Sequence, residues 1–302
     1  MGKSGLSGRG KIPVILDTDI GGDIDDTWAL AMMLKSPELD VKLVVSDTGN
    51  TVYRARIIAK LLEVAGRTDI PVGVGLPQKE ETGPQEPWVK GYELSEYPGQ
   101  VRRDGIDALI ETIMSSSEPV TLVCIGPLPN IGEALLRAPE IAARARFVGM
   151  HGSIRRSLMG EPRAIAEYNV VSDVRACQKV FQAPWQITIT PLDTCGVVVL
   201  EGQEYRTVRD SHSPLAQAVI ENYRIWTKTH GGDPESRSSI LFDTVAVYLA
   251  FAEEFLVMES LGIRVTNEGF TVIDPCAKNV RCATEWKDLP AFRRLLVDRL
   301  TA

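Results

Sequence analysis

The sequence predicts an α/β protein: one domain built on a mainly parallel, mixed central sheet with helices on both of its faces. Three observations carry that prediction. At 302 residues the chain is long enough to bury the core of one large α/β domain unaided. Its short apolar runs, Pro13–Leu16, Val41–Val45, Pro71–Val74, Val120–Cys124, Phe147–Met150 and Gln186–Ile189, are continuous rather than alternating, as suits strands buried on both faces. Helical patterns separate those runs, which is the signature of βαβ units.

Taken in order, the elements place polar groups at one end of the predicted strands. The first run ends on Asp17 and Asp19 and leads to an apolar helix over Trp28–Leu34. The second passes Asp47 and Asn50 into a helix over Tyr53–Ala65, where Ile57, Ile58, Leu61, Leu62 and Ala65 recur at helical spacing and Gly66 supplies the stop. Pro71–Val74 is followed by the long polar segment Gln78–Asp104, which, like Lys228–Ser239, reads as a surface loop or lid. Val120–Cys124 runs into the Gly126–Asn130 turn, Phe147–Met150 into His151, and Gln186–Ile189 towards Asp193. A hairpin over Ile263–Ile273 and a helix over Leu289–Leu300 complete the chain. The domain is expected over residues 12–302, with residues 1–11, rich in Gly and Ser, as a flexible tail. Ligand crevices of open α/β sheets lie outside the carboxyl ends of the strands, so the polar residues just named are expected to converge on one site.

Composition removes several classes of function. With 44% apolar and 24% charged residues the chain has an ordinary globular make-up, unlike a disordered, collagen-like or coiled-coil protein. A net charge of −7, from 33 Lys+Arg against 40 Asp+Glu, gives no field to gather nucleic acid or an anionic membrane. Nowhere do 18 apolar residues run together, so no membrane-spanning helix is expected. The five cysteines, Cys124, Cys177, Cys195, Cys276 and Cys282, are odd in number and form no Cys-x-x-Cys pair. They read as core residues of a protein in a reducing, cytoplasmic setting. The basic N-terminus has no apolar segment behind it, so no signal peptide is expected.

The segment that carries chemistry is Asp17-Thr18-Asp19-Ile20-Gly21-Gly22-Asp23-Ile24-Asp25-Asp26, five carboxylates within ten residues directly after a buried strand. Like charges packed this closely repel unless they are solvated or share a hard divalent cation such as Ca²⁺ or Mg²⁺ through oxygen. Helix capping is the plain competitor, and it accounts for Asp25 or Asp26 but not for the other three. An EF-hand loop starting at Asp17 fails at its fifth position, Gly21, and at its twelfth, Trp28. The segment is also similar to the Asp-x-Asp-x-Thr/Val phosphate-transfer motif of the haloacid-dehalogenase superfamily, but Gly21 occupies the Thr/Val position. A metal-dependent phosphohydrolase therefore stays as a lesser alternative.

The cluster resembles the Asp-x-Asp-x-Gly…Asp-Asp signature of the nucleoside hydrolases, the inosine-uridine preferring family. Similarity continues in order along nearly the whole chain. Thr48-Gly49-Asn50-Thr51 with Ala59–Val72 resembles the family's second block, and Ile125–Ile131 its Gly-Pro-Leu-Thr-Asn block. Ala166-Glu167-Tyr168-Asn169 resembles the Ala-Glu-Phe-Asn block, Pro191-Leu192-Asp193 a further one, and Phe242–Val247 the late His-Asp-Pro block. The resemblance implies a Rossmann-like nucleoside hydrolase fold and calcium-dependent hydrolysis of the N-glycosidic bond of a ribonucleoside by a homo-oligomer. It implies Asp19 as metal ligand and as the base that activates a metal-bound water. Asp26, Asp243 and the Ile125 carbonyl would be further ligands, and Asp25, Asn50, Glu167 and Asn169 the sugar contacts. Carboxylates and amides suit vicinal diols, because each hydroxyl both donates and accepts. Asn50 and Asn169 are equally placed to cap helices, whereas Glu167, a lone carboxylate among apolar neighbours, needs a partner.

The departures matter as much. The acidic segment is two residues longer than the family's usual pattern, which leaves Asp23 and Asp25 both in line for the sugar-binding carboxylate; Asp25 is preferred because Asp25-Asp26 leads straight into the helix. Glu161 stands where a family Asn commonly touches the 5′ end of the sugar, which makes it a candidate substrate contact. Phe242 stands where many members have the His that protonates the leaving base. Of the three histidines left to replace it, His151 is either catalytic or packed, His230 lies beside Gly231-Gly232, and His212 sits in a helix-entry loop. Trp226, at helical spacing from Tyr223 and His230, is either a platform for a base or core packing. The missing His favours a second reading, a catalytically weak or inactive ribose- or nucleoside-binding relative, which the intact Asp19, Asp26 and Asp243 oppose.

Overall fold

The computed structural model describes residues 10–302, so residues 1–9 of the expected tail lie outside the described residues. Ten strands form one sheet: β1 (Ile12–Thr18), β2 (Leu39–Ser46), β3 (Val72–Val74), β4 (Val101–Arg102), β5 (Val120–Cys124), β6 (Ala145–Met150), β7 (Ile187–Thr190), β8 (Leu256–Val265), β9 (Thr271–Ile273) and β10 (Asn279–Trp286). Their spatial order is β4-β3-β2-β1-β5-β6-β7-β10-β8-β9. Every pairing from β4 to β10 is parallel, and β8 and β9 are added antiparallel. The predicted mixed, mainly parallel sheet is therefore present.

Among the described residues twelve α-helices surround it: α1 (Asp25–Leu34), α2 (Thr51–Val64), α3 (Glu86–Val89), α4 (Gly105–Ser115), α5 (Pro129–Arg137), α6 (Tyr168–Ser172), α7 (Val174–Gln182), α8 (Leu192–Cys195), α9 (Gly202–Arg209), α10 (Pro214–His230), α11 (Phe242–Leu249) and α12 (Leu289–Thr301). Side chains alternate across β1, which is why its apolar run had to be continuous. Val14 and Leu16 join the layer built with α1, α2, α10, α11 and α12. Ile15 joins the opposite layer with α4, α5 and α7. The chain winds outward from β1 to β4 and then returns to place β5 on the other side of β1, so the crevice of this doubly wound sheet opens between the carboxyl ends of β1 and β5.

Two segments expected as lids are instead fastened down. Gln78–Asp104 contributes α3 and β4, and at Gly83 it comes so near the acidic loop that an added Cβ would lie 2.0 Å from the Gly21 carbonyl oxygen. Gln85 Nε2 then donates to Thr27 Oγ1 at 3.0 Å and to Asn222 Oδ1 at 2.8 Å. The other segment begins as the last turn of α10, and its far end is tied down by Ser238 N to Leu200 O at 2.9 Å and Leu241 N to Val198 O at 2.8 Å. The five cysteines are unpaired, all but Cys276 buried.

Candidate active site

The N-terminal turns of α1 and α11 meet above the crevice. Asp25 and Asp26 open α1, Asp243 is the second residue of α11, and the three offer carboxylate oxygens that lie within 4.8 Å of one another. All three are buried. Two helix N-termini supply partial positive charge there, too little to balance three carboxylates. Asp26 Oδ1 accepts from Thr18 Oγ1 at 2.5 Å, and Asp25 Oδ2 accepts from the Asp243 backbone N–H at 3.2 Å. Burial, reinforced by mutual repulsion, pushes the carboxyls of Asp25, Asp26 and Asp243 well above the usual carboxylate range. Asp19 stands beside the triad, with Arg54 Nη2 at 3.9 Å from its Oδ2, and burial raises it as well. This buried, oxygen-only set fits a hard divalent cation. Its members include Asp25, expected as a sugar contact, while Asp19 lies outside the tight group of three.

Small residues let these groups approach. A Cβ on Gly126 would lie 2.9 Å from the Asp19 Cβ, so the residue after Ile125 has no room for a side chain. Gly21 adopts φ +98°, where an added Cβ would also come within 2.8 Å of Ile57 and Tyr53. Beneath the loop Asp17 is buried, its Oδ2 accepting from Asn130 Nδ2 at 2.8 Å, and burial raises its carboxyl to about 7.

A cavity of about 630 Å³ rises from the acidic floor. Ile125, Glu167 and Asn169 belong to its lining, and Leu158, Ile165, Tyr168, Val171, Trp226 and Phe242 give it apolar walls. Glu167 caps α6, its carboxylate accepting from the backbone N–H groups of Gly152 at 2.9 Å, Asn169 at 2.7 Å and Val170 at 3.3 Å. Burial raises this carboxyl to about 7. Asn169 Nδ2 donates to the Ile125 carbonyl at 3.1 Å and to that of Met150 at 3.0 Å, so the amide orients the very carbonyl expected to face a cation. His230, the last residue of α10, also lines the cavity; its ring stacks on Trp226 with centroids 4.5 Å apart and planes 6° from parallel.

Three expected site residues are not brought into this cavity. Asn50 caps α2, its Oδ1 accepting from Tyr53 N at 2.9 Å while its Nδ2 donates to Glu80 O at 2.7 Å, so the capping alternative describes it. Glu161 is exposed on a turn from which Leu158 reaches the cavity instead. His151 is buried against Phe147 and Phe181 with Nε2 3.1 Å from the Gly126 carbonyl. Burial drives its pKa down to about 3, which favours the neutral imidazole. Asp193 accepts from the backbone N–H groups of Ile154, Arg155 and Arg156 and thereby holds the loop after β6. Sequence reasoning missed Arg54, whose only signal was a basic side chain close to the buried face of a helix. It also missed that Asp47 is wholly buried with neither carboxylate oxygen partnered among the described residues.

Fold and site together define an α/β protein with an acidic triad, fit for a divalent cation, at the switch point of a doubly wound sheet. The sequence profile of the inosine-uridine preferring nucleoside hydrolases matches residues 14–294, and the chain belongs to that family: it is a hydrolase of N-glycosyl bonds, from a metal-dependent family. It is 29% identical over 276 residues to the non-specific ribonucleoside hydrolase RihC of Klebsiella pneumoniae subsp. pneumoniae, covering 87% of this chain and 88% of the relative. The fold is shared with a plant nucleoside hydrolase, the PpNRh1 enzyme, at a TM-score of 0.82 and 24% identity, covering 97% of this chain and 100% of that one. It is shared also with an inosine-uridine preferring nucleoside hydrolase from Bacillus anthracis, at a TM-score of 0.79 and 18% identity, covering 96% of this chain and 99% of that one. Among the described residues no helix is long and apolar enough to cross a membrane.

Proposed function

We propose that the protein is a calcium-dependent ribonucleoside hydrolase in which Asp19 takes the proton of the attacking water. The observation that carries this reading is the buried convergence of Asp25, Asp26 and Asp243 with Asp19 beside them on the floor of a nucleoside-sized cavity. Asp19, Asp26, Asp243 and the Ile125 carbonyl would hold the cation, and Asp25, beside them, would contact the sugar. Bound there, calcium supplies Lewis-acid polarisation and a fixed anchor for vicinal hydroxyls. Glu167 and Asn169 face the same sugar, preorganised by the backbone bonds that fix them. Trp226 offers a flat surface to the leaving base. Phe242 in the cavity wall has no proton to give, so the leaving group departs unprotonated or draws on His230. Residues 12–302 are the functional unit, acting as a cytoplasmic homo-oligomer.

The Phe242 side chain is also the one observation that favours a weak or inactive sugar-binding relative. Reducing-sugar release from inosine, uridine and a p-nitrophenyl riboside separates the readings. Release of sugar supports hydrolysis, tight ribose binding without turnover supports the binding relative, and phosphate release from a phosphoester supports a phosphohydrolase.

A further inference from the structure

The loop between β1 and α1 carries Asp19 and Asp23 through backbone that belongs to no strand or helix, and it leads into Asp25 and Asp26, the first residues of α1. Three consecutive carbonyls of that loop are each gripped by a side chain from elsewhere. Arg54 Nη1 donates to Ile20 O at 3.0 Å, the Tyr53 hydroxyl to Gly21 O at 3.1 Å, and Trp226 Nε1 to Gly22 O at 3.1 Å. The first two grips come from neighbours on α2 and belong to the buried frame, where the Tyr53 hydroxyl also accepts from Gln85 N at 3.0 Å. The third is different in kind. Trp226 arrives from α10, 204 residues along the chain, and it is only partly buried because it forms part of the cavity wall.

A wall that merely stacks on a base needs an aromatic face and no donor. Nor does this fold require every indole to find a partner: Trp28 is wholly buried with its Nε1 unpartnered among the described residues. We infer that Trp226 is a positioning residue, whose indole N–H holds the Gly22 carbonyl and so keeps Asp19 on one side of it, and Asp25 and Asp26 on the other, at the spacing a cation needs. This inference rests on the cation-binding reading of that site, and it assigns to the cavity wall a task in shaping the acidic floor.

The test compares the full chain with Trp226→Phe, which keeps an aromatic face and loses the donor. In calcium-free protein, amide hydrogen exchange over Thr18–Asp26 should be faster in the variant by about three- to tenfold, the factor carried by one net hydrogen bond. The calcium dissociation constant, measured by titration, should rise by a similar factor. Any loss of kcat at low calcium should shrink as calcium is raised to saturation, a dependence that a purely stacking wall would not produce. Unchanged exchange overturns the inference, and so does faster exchange with unchanged calcium affinity. If wild-type protein binds no calcium, the calcium reading fails on its own, and the exchange difference alone decides whether the indole holds the loop. Should Phe at that position unfold the chain, benzothienylalanine at 226, which puts sulfur in place of the N–H in a ring of the same shape, gives the same readouts.

Discussion

Removing the cation should destabilise the protein, and more at high pH than at low. Asp25, Asp26 and Asp243 each bring a carboxylate oxygen within 4.8 Å of the others. At an effective dielectric constant of about 20, two unit charges at that distance repel by about 3.5 kcal/mol, so three ionised carboxylates cost about 10 kcal/mol. That is the size of a whole domain's stability. The cation-free fold escapes by keeping protons, the direction in which burial already drives all three groups. A carboxyl whose pKa is higher in the fold than in the unfolded chain binds more protons when folded, so stability falls as pH rises above the unfolded value of about 4. Calcium bound there would ionise the groups within the fold and flatten that slope. At 100 to 1,000 times its dissociation constant it adds about 2.7–4.1 kcal/mol. At roughly 2 °C per kcal/mol for a chain of this size, the melting temperature near pH 8 should rise by about 5–8 °C, and by less near pH 5, where protons compete. Calorimetry of chelator-treated protein with and without calcium at both pH values measures this. Equal melting near pH 8, or a larger calcium shift near pH 5, refutes the reasoning.

Three further outcomes are expected. Asp19→Asn should lower kcat by about 10²–10⁴-fold, with calcium occupancy measured alongside by elemental analysis; a near-normal kcat removes Asp19 from the role of base. Asn50→Ala should cost about 0.5–2 kcal/mol in denaturant unfolding, as loss of a helix cap does, and leave the riboside KM unchanged; a several-fold rise in KM would restore Asn50 as a sugar contact. The p-nitrophenyl riboside should be cleaved far faster than inosine, because p-nitrophenolate leaves without a proton, and Phe242→His should narrow the gap. A loss confined to inosine in His230→Ala would show instead that His230 supplies the proton.

How much of this was legible in the sequence follows from what each residue has to do. β1, β2 and β5 were readable because burial on both faces forces continuous apolar runs, whereas two-residue β4 has no pattern to read, and Asn279, Arg281 and Glu285 break up β10. The crowding of five carboxylates between Asp17 and Asp26 pointed to a cation, but only the family resemblance singled out Asp19, Asp26 and Asp243 as a set, since Asp243 lies 218 residues from Asp25. The choice between Asp23 and Asp25 could not be made from spacing alone, and both line the cavity: α1 begins at Asp25, whose carboxylate accepts from the Asp243 N–H, while Asp23 stays on the loop before it. His151 follows β6 at the right end of the sheet, yet Phe147 and Phe181 enclose it, and enclosure by distant residues leaves no local trace. Trp226 satisfied neither of its two expected descriptions alone, since it lines the cavity while its N–H grips the acidic loop.

The two ends of the sheet carry a consequence for association. β4, with two residues, and β9, with three, are the outermost strands. Edges that short present too few free N–H and C=O groups to template a strand from another molecule, which is how soluble sheets avoid growing into fibres. Neither β4 nor β9 is therefore a strand on which another copy would add edge to edge. The crevice between β1 and β5 lies near the middle of the strand order, so a neighbouring subunit reaches it only by laying a loop or helix across its mouth.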